Sequence, residues 1–111
     1  MVNGPPNDLG PIAMGIERVW FHPDAIEEAH AAYQWYHARS PGIAEAFLKE
    51  LDRAVELILE HPDQWAPYVA GTRRFVLHRF PYLIVFRESG ETVQIVAVAH
   101  ARRRPGYWRE R

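Results

Sequence analysis

Hydrophobic residues follow one rhythm in the first half of the chain and another in the second. In "HPDAIEEAHAAYQWYHAR", residues 22–39, Ile26, Ala29, Tyr33 and Tyr36 recur at helical spacing and predict the buried stripe of a first helix. Pro23 suits its first position, and Asp24, Glu27 and Glu28 suit the positive end of the helix dipole. The triplet "SPG" at 40–42 restarts the chain, with Ser40 as N-cap and Pro41 in the first turn. A second helix over 41–61 carries Ile43, Ala44, Phe47, Leu48, Leu51, Ala54, Val55, Ile58 and Leu59 at spacings of three and four, and His61-Pro62 ends it. So short a link folds the two helices into an antiparallel hairpin.

After Pro67 the period changes. "RRFVLHRF" (73–80), "YLIVFRE" (82–88) and "TVQIVAVAHA" (92–101) predict three strands, and "ERVWFH" (17–22) an earlier one. Tyr82 to Phe86 is apolar at every position, as expected of a central strand covered on both faces. In the last strand, alternation puts Val93, Ile95, Ala97 and Ala99 on one face and Gln94, Val96, Val98 and His100 on the other. The predicted fold is α+β, in the order β-α-α-β-β-β, with a helical hairpin packed on one face of a mostly antiparallel four-stranded sheet.

Composition adds boundaries to this picture. The opening "MVNGPPNDLGPIAMG" is rich in Gly and Pro, so residues 1–16 read as a flexible leader, with Met14 as an alternative start, and residues 17–111 as a single domain. The chain has no cysteine, which excludes disulfides and thiolate metal sites. No apolar run approaches the ~18 residues of a membrane span, and no secretory signal pattern opens the chain, so a cytoplasmic protein is expected. Charge is divided unevenly: residues 1–65 sum to −7 and residues 66–111, with nine arginines, to +6. Such asymmetry suggests one face that meets an anion.

The candidate chemistry gathers near the end of the chain. In a meander, the second and fourth strands flank the third and run the same way. Arg79, His100, Arg102, Arg103 and Arg104 are therefore expected to converge at one sheet edge, with Arg74 at the start of the second strand. Guanidinium groups make bidentate contacts to phosphate or carboxylate. Tyr107 and Trp108 could stack on a base, or they could pin the tail to the sheet. His100, at the end of an apolar strand, could exchange protons with a substrate. The remaining histidines show no metal-ligand spacing and are assigned to surfaces and caps; no metal or cofactor is expected. Glu45, Glu50, Asp52, Glu56 and Glu60 fall on the outer faces of the second helix, where most are expected to be solvated.

The segments "VWFHPDAIEEAHAAYQWY", "AFLKELDRAVELILEHP", "RFVLHRFPYLIVFRE" and "IVAVAHARRRPGYWRER" together resemble the ParE/RelE superfamily, the toxins of bacterial type II toxin–antitoxin pairs, often labelled plasmid stabilisation proteins. The R-F-P-Y segment at 79–82 and the H-x-x-R-x-P-x-Y-W ending at 100–108 carry the likeness most specifically. The resemblance implies a growth-inhibiting toxin neutralised by a cognate antitoxin that folds on binding, as a hetero-oligomer or beside a toxin homodimer. ParE-like members poison DNA gyrase and are not enzymes; RelE-like members cleave mRNA on the ribosome without metal. In the RelE-like case His100 and Tyr107 would serve as base and acid. In the ParE-like case Arg74, Arg79, Arg102, Arg103, Arg104 and Trp108 would contact the target or its phosphates. The strongly RelE-like members carry lysines at the site. Here the only lysine is Lys49, among acids, which favours the ParE-like reading. Trp35, Trp65 and Tyr68 are the expected antitoxin contacts. A basic nucleic-acid-binding module without toxicity is the remaining alternative, and it predicts salt-sensitive binding.

Overall fold

A computed structural model describes residues 18–111. The predicted leader at 1–16, Met14 and the first residue of the first predicted strand lie outside the described residues. The elements run β1 (Val19–Phe21), α1 (Pro23–Arg39), α2 (Pro41–Glu60), β2 (Ala66–Pro67), β3 (Arg73–Val76), β4 (Tyr82–Ser89) and β5 (Thr92–His100). They form one sheet in the order β1-β5-β4-β3-β2, antiparallel except where β1 runs parallel to β5. The two-residue β2 is a fifth strand beyond the four expected. It exists because Trp65 to Tyr68 turns back along β3, pairing Ala66 with Arg74 and Pro67 with Arg73. No local pattern in two residues could announce it.

The helix boundaries follow their capping chemistry. Ser40 Oγ accepts the Ile43 N–H at 3.4 Å and Pro41 fills the first turn, so one residue ends α1 and starts α2. His22 caps α1, its Nδ1 accepting the Asp24 N–H at 3.0 Å. In α2 the expected stripe holds: Ala44, Phe47, Leu51, Ala54, Val55, Ile58 and Leu59 are buried. Ile43 is exposed. On α1 the stripe is rotated from the expected one. Ala25 and Ala32 are buried while Ile26 is 47% exposed, because small residues let this helix lie close against the sheet and against α2. Among the described residues no helix is long and apolar enough to cross a membrane.

The two sheet faces have separate cores. Phe47, Leu51, Val55 and Ile58 of α2 meet Ile84, Phe86, Val93, Ile95 and Val98 on one face. On the other, Leu83, Val85, Val96, Ala97 and Ala99 are covered by Trp108 with Tyr68 and Tyr107. Complete burial of one such aliphatic or aromatic side chain contributes about 1.5–3 kcal/mol. The expected strict alternation of β5 is interrupted. Phe86 pairs with Ile95 but Val85 with Ala97, so Val96 is an extra residue in β5, a β-bulge. Val93 and Ile95 face the helices; past the bulge Val98 does, while Ala97 and Ala99 face Trp108.

Candidate functional site

The end of β5 borders a cleft of about 500 Å³. Glu28, Ala31, Ala32, Trp35 and Tyr36 of α1 form one wall; Pro81, Tyr82, Val98 and His100 form the floor; Arg103 and Tyr107 close the far side. It opens there because β1 is short. β1 keeps register with β5 only as far as Ile95, and beyond that point no strand among the described residues pairs with the outer edge of β5.

Glu28 fills the gap. Its Oε1 accepts the Val98 N–H at 2.9 Å and Arg111 Nη1 at 3.0 Å. Its Oε2 accepts the Tyr107 hydroxyl at 2.7 Å and Arg111 Nη2 at 2.9 Å. Arg111 Nη1 also donates to the carbonyl of the bulge residue Val96 at 3.0 Å. The ion pair thus satisfies edge groups of β5 that a longer β1 would have paired, and blunts an exposed strand edge. Both side chains are mostly shielded from water, Glu28 17% and Arg111 15% exposed. Arg87 holds the same end of the chain by donating to the Arg111 carbonyl at 2.7 Å. Sequence reading assigned Glu28 to the helix dipole. Its role becomes legible only from the observed stripe: Glu28 lies at i+3 from Ala25 and i−4 from Ala32, on the buried side of α1, where a carboxylate requires a cation.

This network fixes the chemistry of Tyr107. Burial, and then the hydrogen bond to Glu28, push its phenol well above the ordinary value of 10.0. Its proton is therefore held on the oxygen and directed at Glu28. His100 is half-buried and meets Tyr82 edge-on at 5.1 Å. Its Nδ1 accepts the Arg102 N–H at 3.0 Å, so the neutral ring carries its proton on Nε2 and is a donor there. Arg103 lies over the Tyr107 ring at 3.7 Å, a cation–π contact. Arg102, Arg103 and Arg104 are all exposed. The arrangement supplies fixed donors and cations that can hold a phosphate or carboxylate.

The structure separates some residues that were expected together. Arg79 does not line the His100 cleft. It sits in the turn after β3 and pairs with Glu50 of α2, Nε to Oε1 at 3.2 Å. Glu50 was expected on a solvated face; instead its carboxylate accepts the backbone N–H groups of His78 and Arg79 and is 14% exposed. Desolvation opposes it, but those backbone bonds and the Arg79 guanidinium lower its pKa below the ordinary 4.5. Arg74 is exposed on β3 with its guanidinium 4.8 Å from the Tyr68 ring.

Trp108 resolves to the anchoring alternative. It is 1% exposed and stacked on Tyr68 at 5.5 Å, so it presents no face to a ligand. Of the expected antitoxin contacts, Trp35 is 54% exposed in the cleft wall with Arg39 3.6 Å over its ring. Trp65 packs on Phe75 at 4.7 Å and Tyr68 on Trp108, so loop packing accounts for both. Among the described residues no three His, Asp or Glu side chains gather as a metal site would require.

Residues 19–105 match the family described as ParE toxin of type II toxin–antitoxin system, parDE. A solved chain from the chromosomal ParDE toxin–antitoxin system of P. aeruginosa superposes with a TM-score of 0.67 at 22% identity, covering 77% of this chain and 96% of that one. At that identity the likeness speaks for the fold. No curated protein matches the chain.

Proposed function

The chain belongs to the ParE toxin family of type II toxin–antitoxin systems, and from that premise we propose that it inhibits bacterial growth from the cytoplasm, through DNA gyrase, until a cognate antitoxin covers it in a hetero-oligomeric complex. The single observation that carries the non-catalytic reading is the Glu28 network. Ribonuclease chemistry needs a mobile proton to reach the leaving oxygen. Here the Tyr107 proton is committed to Glu28, its pKa is raised, and the His100 Nδ1 is already an acceptor. That inventory suits binding better than proton transfer.

On this reading Arg102, Arg103 and Arg104 are the target contacts, with Arg74 on a separate part of the sheet. Trp35 is the antitoxin contact. Trp108 acts indirectly by holding the arginine-bearing segment against the sheet. Arg79 contributes through its pairing with Glu50 of α2, which holds the turn after β3 in place.

The test is induced expression in a bacterial host, following growth, plasmid topology and mRNA integrity. Arrest with broken or relaxed DNA and intact mRNA is expected, and neutralisation by the protein encoded beside the gene. Arg103→Ala with Arg104→Ala should abolish the arrest with only a small loss of thermal stability, since both side chains are exposed and Arg103 gives up a cation–π contact with Tyr107. Arrest with mRNA cut at codons would overturn the gyrase reading. Absence of arrest would overturn the toxin reading altogether.

A further inference from the structure

The cleft beside β5 has the make-up of a small-molecule site. Its volume of about 500 Å³ falls within the ~300–1,000 Å³ usual for such pockets, which have apolar walls and a few fixed polar groups. Trp35, 54% exposed, stands in one wall, and Tyr36, Tyr82 and Tyr107 bring three further rings. Among these phenols, Tyr107 commits its hydroxyl to Glu28, whereas those of Tyr36 and Tyr82 make no hydrogen bond to another described residue. Burial raises both above the ordinary 10.0, so each keeps its proton and offers an O–H. His100 presents its Nε2–H, because Nδ1 is taken by the Arg102 N–H. Arg103, over the Tyr107 ring, makes no ion pair among the described residues.

An aromatic cleft can take a cation, or an anion with a planar body. Here the charges decide. Glu28, the one carboxylate among the lining residues, is paired with Arg111 and has both oxygens occupied. Arg39 lies over Trp35 and Arg103 over Tyr107, so a guanidinium already holds a face of each ring. A further cation would meet both of these charges at short range, whereas an anion would pair with Arg103. The guanidinium fork and the His100 N–H suit the oxygens of a phosphate. The Trp35 ring suits a planar heterocycle, and the Tyr36 and Tyr82 hydroxyls suit its polar edge.

We propose that this cleft binds a free nucleoside monophosphate, with its base against Trp35 and its phosphate on Arg103 and His100. The volume suits one nucleotide rather than a strand. The site does not rest on the toxin reading, since nothing in it requires a protein target. Its test uses the purified full chain with no partner. Adenosine 5′-monophosphate at about 1 mM should shift the Trp35 indole N–H resonance. The resonances of Trp20, Trp65 and Trp108, whose indole nitrogens are buried, should stay in place. Trp35→Ala and Arg103→Ala should each weaken binding about tenfold, and circular dichroism should show both variants folded, since both positions are exposed. Arg53→Ala removes an exposed cation of α2 outside the cleft and should bind as the parent does.

Equal binding of adenosine, or of inorganic phosphate alone, would overturn the site, because base and phosphate would not be read together. A loss for Arg53→Ala equal to that for Arg103→Ala would overturn it too, as the mark of diffuse attraction to cations. An adenine oligonucleotide bound about a hundredfold tighter than the monophosphate would replace the pocket with a strand laid along the arginines. No shift at Trp35 would remove the site and leave the toxin reading standing.

Discussion

Glu28→Ala tests whether one ion pair completes the sheet edge. The substitution removes four hydrogen bonds accepted by two oxygens, from Val98, Tyr107 and Arg111. It leaves the guanidinium of Arg111, only 15% exposed, with the Val96 carbonyl and a longer contact to Asp24 at 3.6 Å. Removing one partner of a buried pair costs about 3–5 kcal/mol. The remaining exposure and the Asp24 contact place this case at the lower end, about 3 kcal/mol. Against a total of ~5–15 kcal/mol that is a large loss. For a domain of this size it corresponds to a fall in Tm of roughly 12–24 °C. Urea unfolding gives the free energy, and hydrogen exchange at Val98 locates the damage. Arg111→Ala should cost about 2 kcal/mol, and the double variant less than the sum of the two, with a coupling of at least ~1 kcal/mol. A Glu28→Ala cost under about 1 kcal/mol, with Val98 exchanging as in the parent, would refute the edge-closing role.

Trp108→Ala should destabilise by about 3–5 kcal/mol, because the ring is 1% exposed and spans the second core; urea unfolding measures it, and a marginal loss would return Trp108 to the list of ligand contacts. The Tyr107 phenol, with its raised pKa, contributes stability that is complete below pH about 10 and declines as pH climbs above it. Tyr107→Phe should therefore flatten the alkaline limb of the stability–pH curve. Glu50, with its lowered pKa, contributes above pH about 4.5 and loses that contribution as the medium is acidified further. Glu50→Gln should weaken the acid dependence of stability and speed exchange at His78 and Arg79.

The sequence by itself determined the hairpin, four of the five strands and the family. Ser40-Pro41, His61-Pro62, the three-and-four spacing of α2 and the unbroken apolar run of β4 are local signals, and each is read from neighbours a few residues away. Composition likewise placed the arginines late in the chain. The tertiary structure decided what depends on partners distant in sequence. The bulge at Val96 reverses which side chains of β5 meet the helices, and it arises from pairing with β4 rather than from anything in residues 92–100. β2 has two residues and exists only through its pairing with β3. Arg79 was drawn to Glu50, 29 residues earlier, and away from His100. Glu28 and Arg111, 83 residues apart, meet because β1 stops short and leaves edge groups of β5 without a strand among the described residues. A buried carboxylate announces that it needs a cation; only the folded chain selects which of its arginines answers.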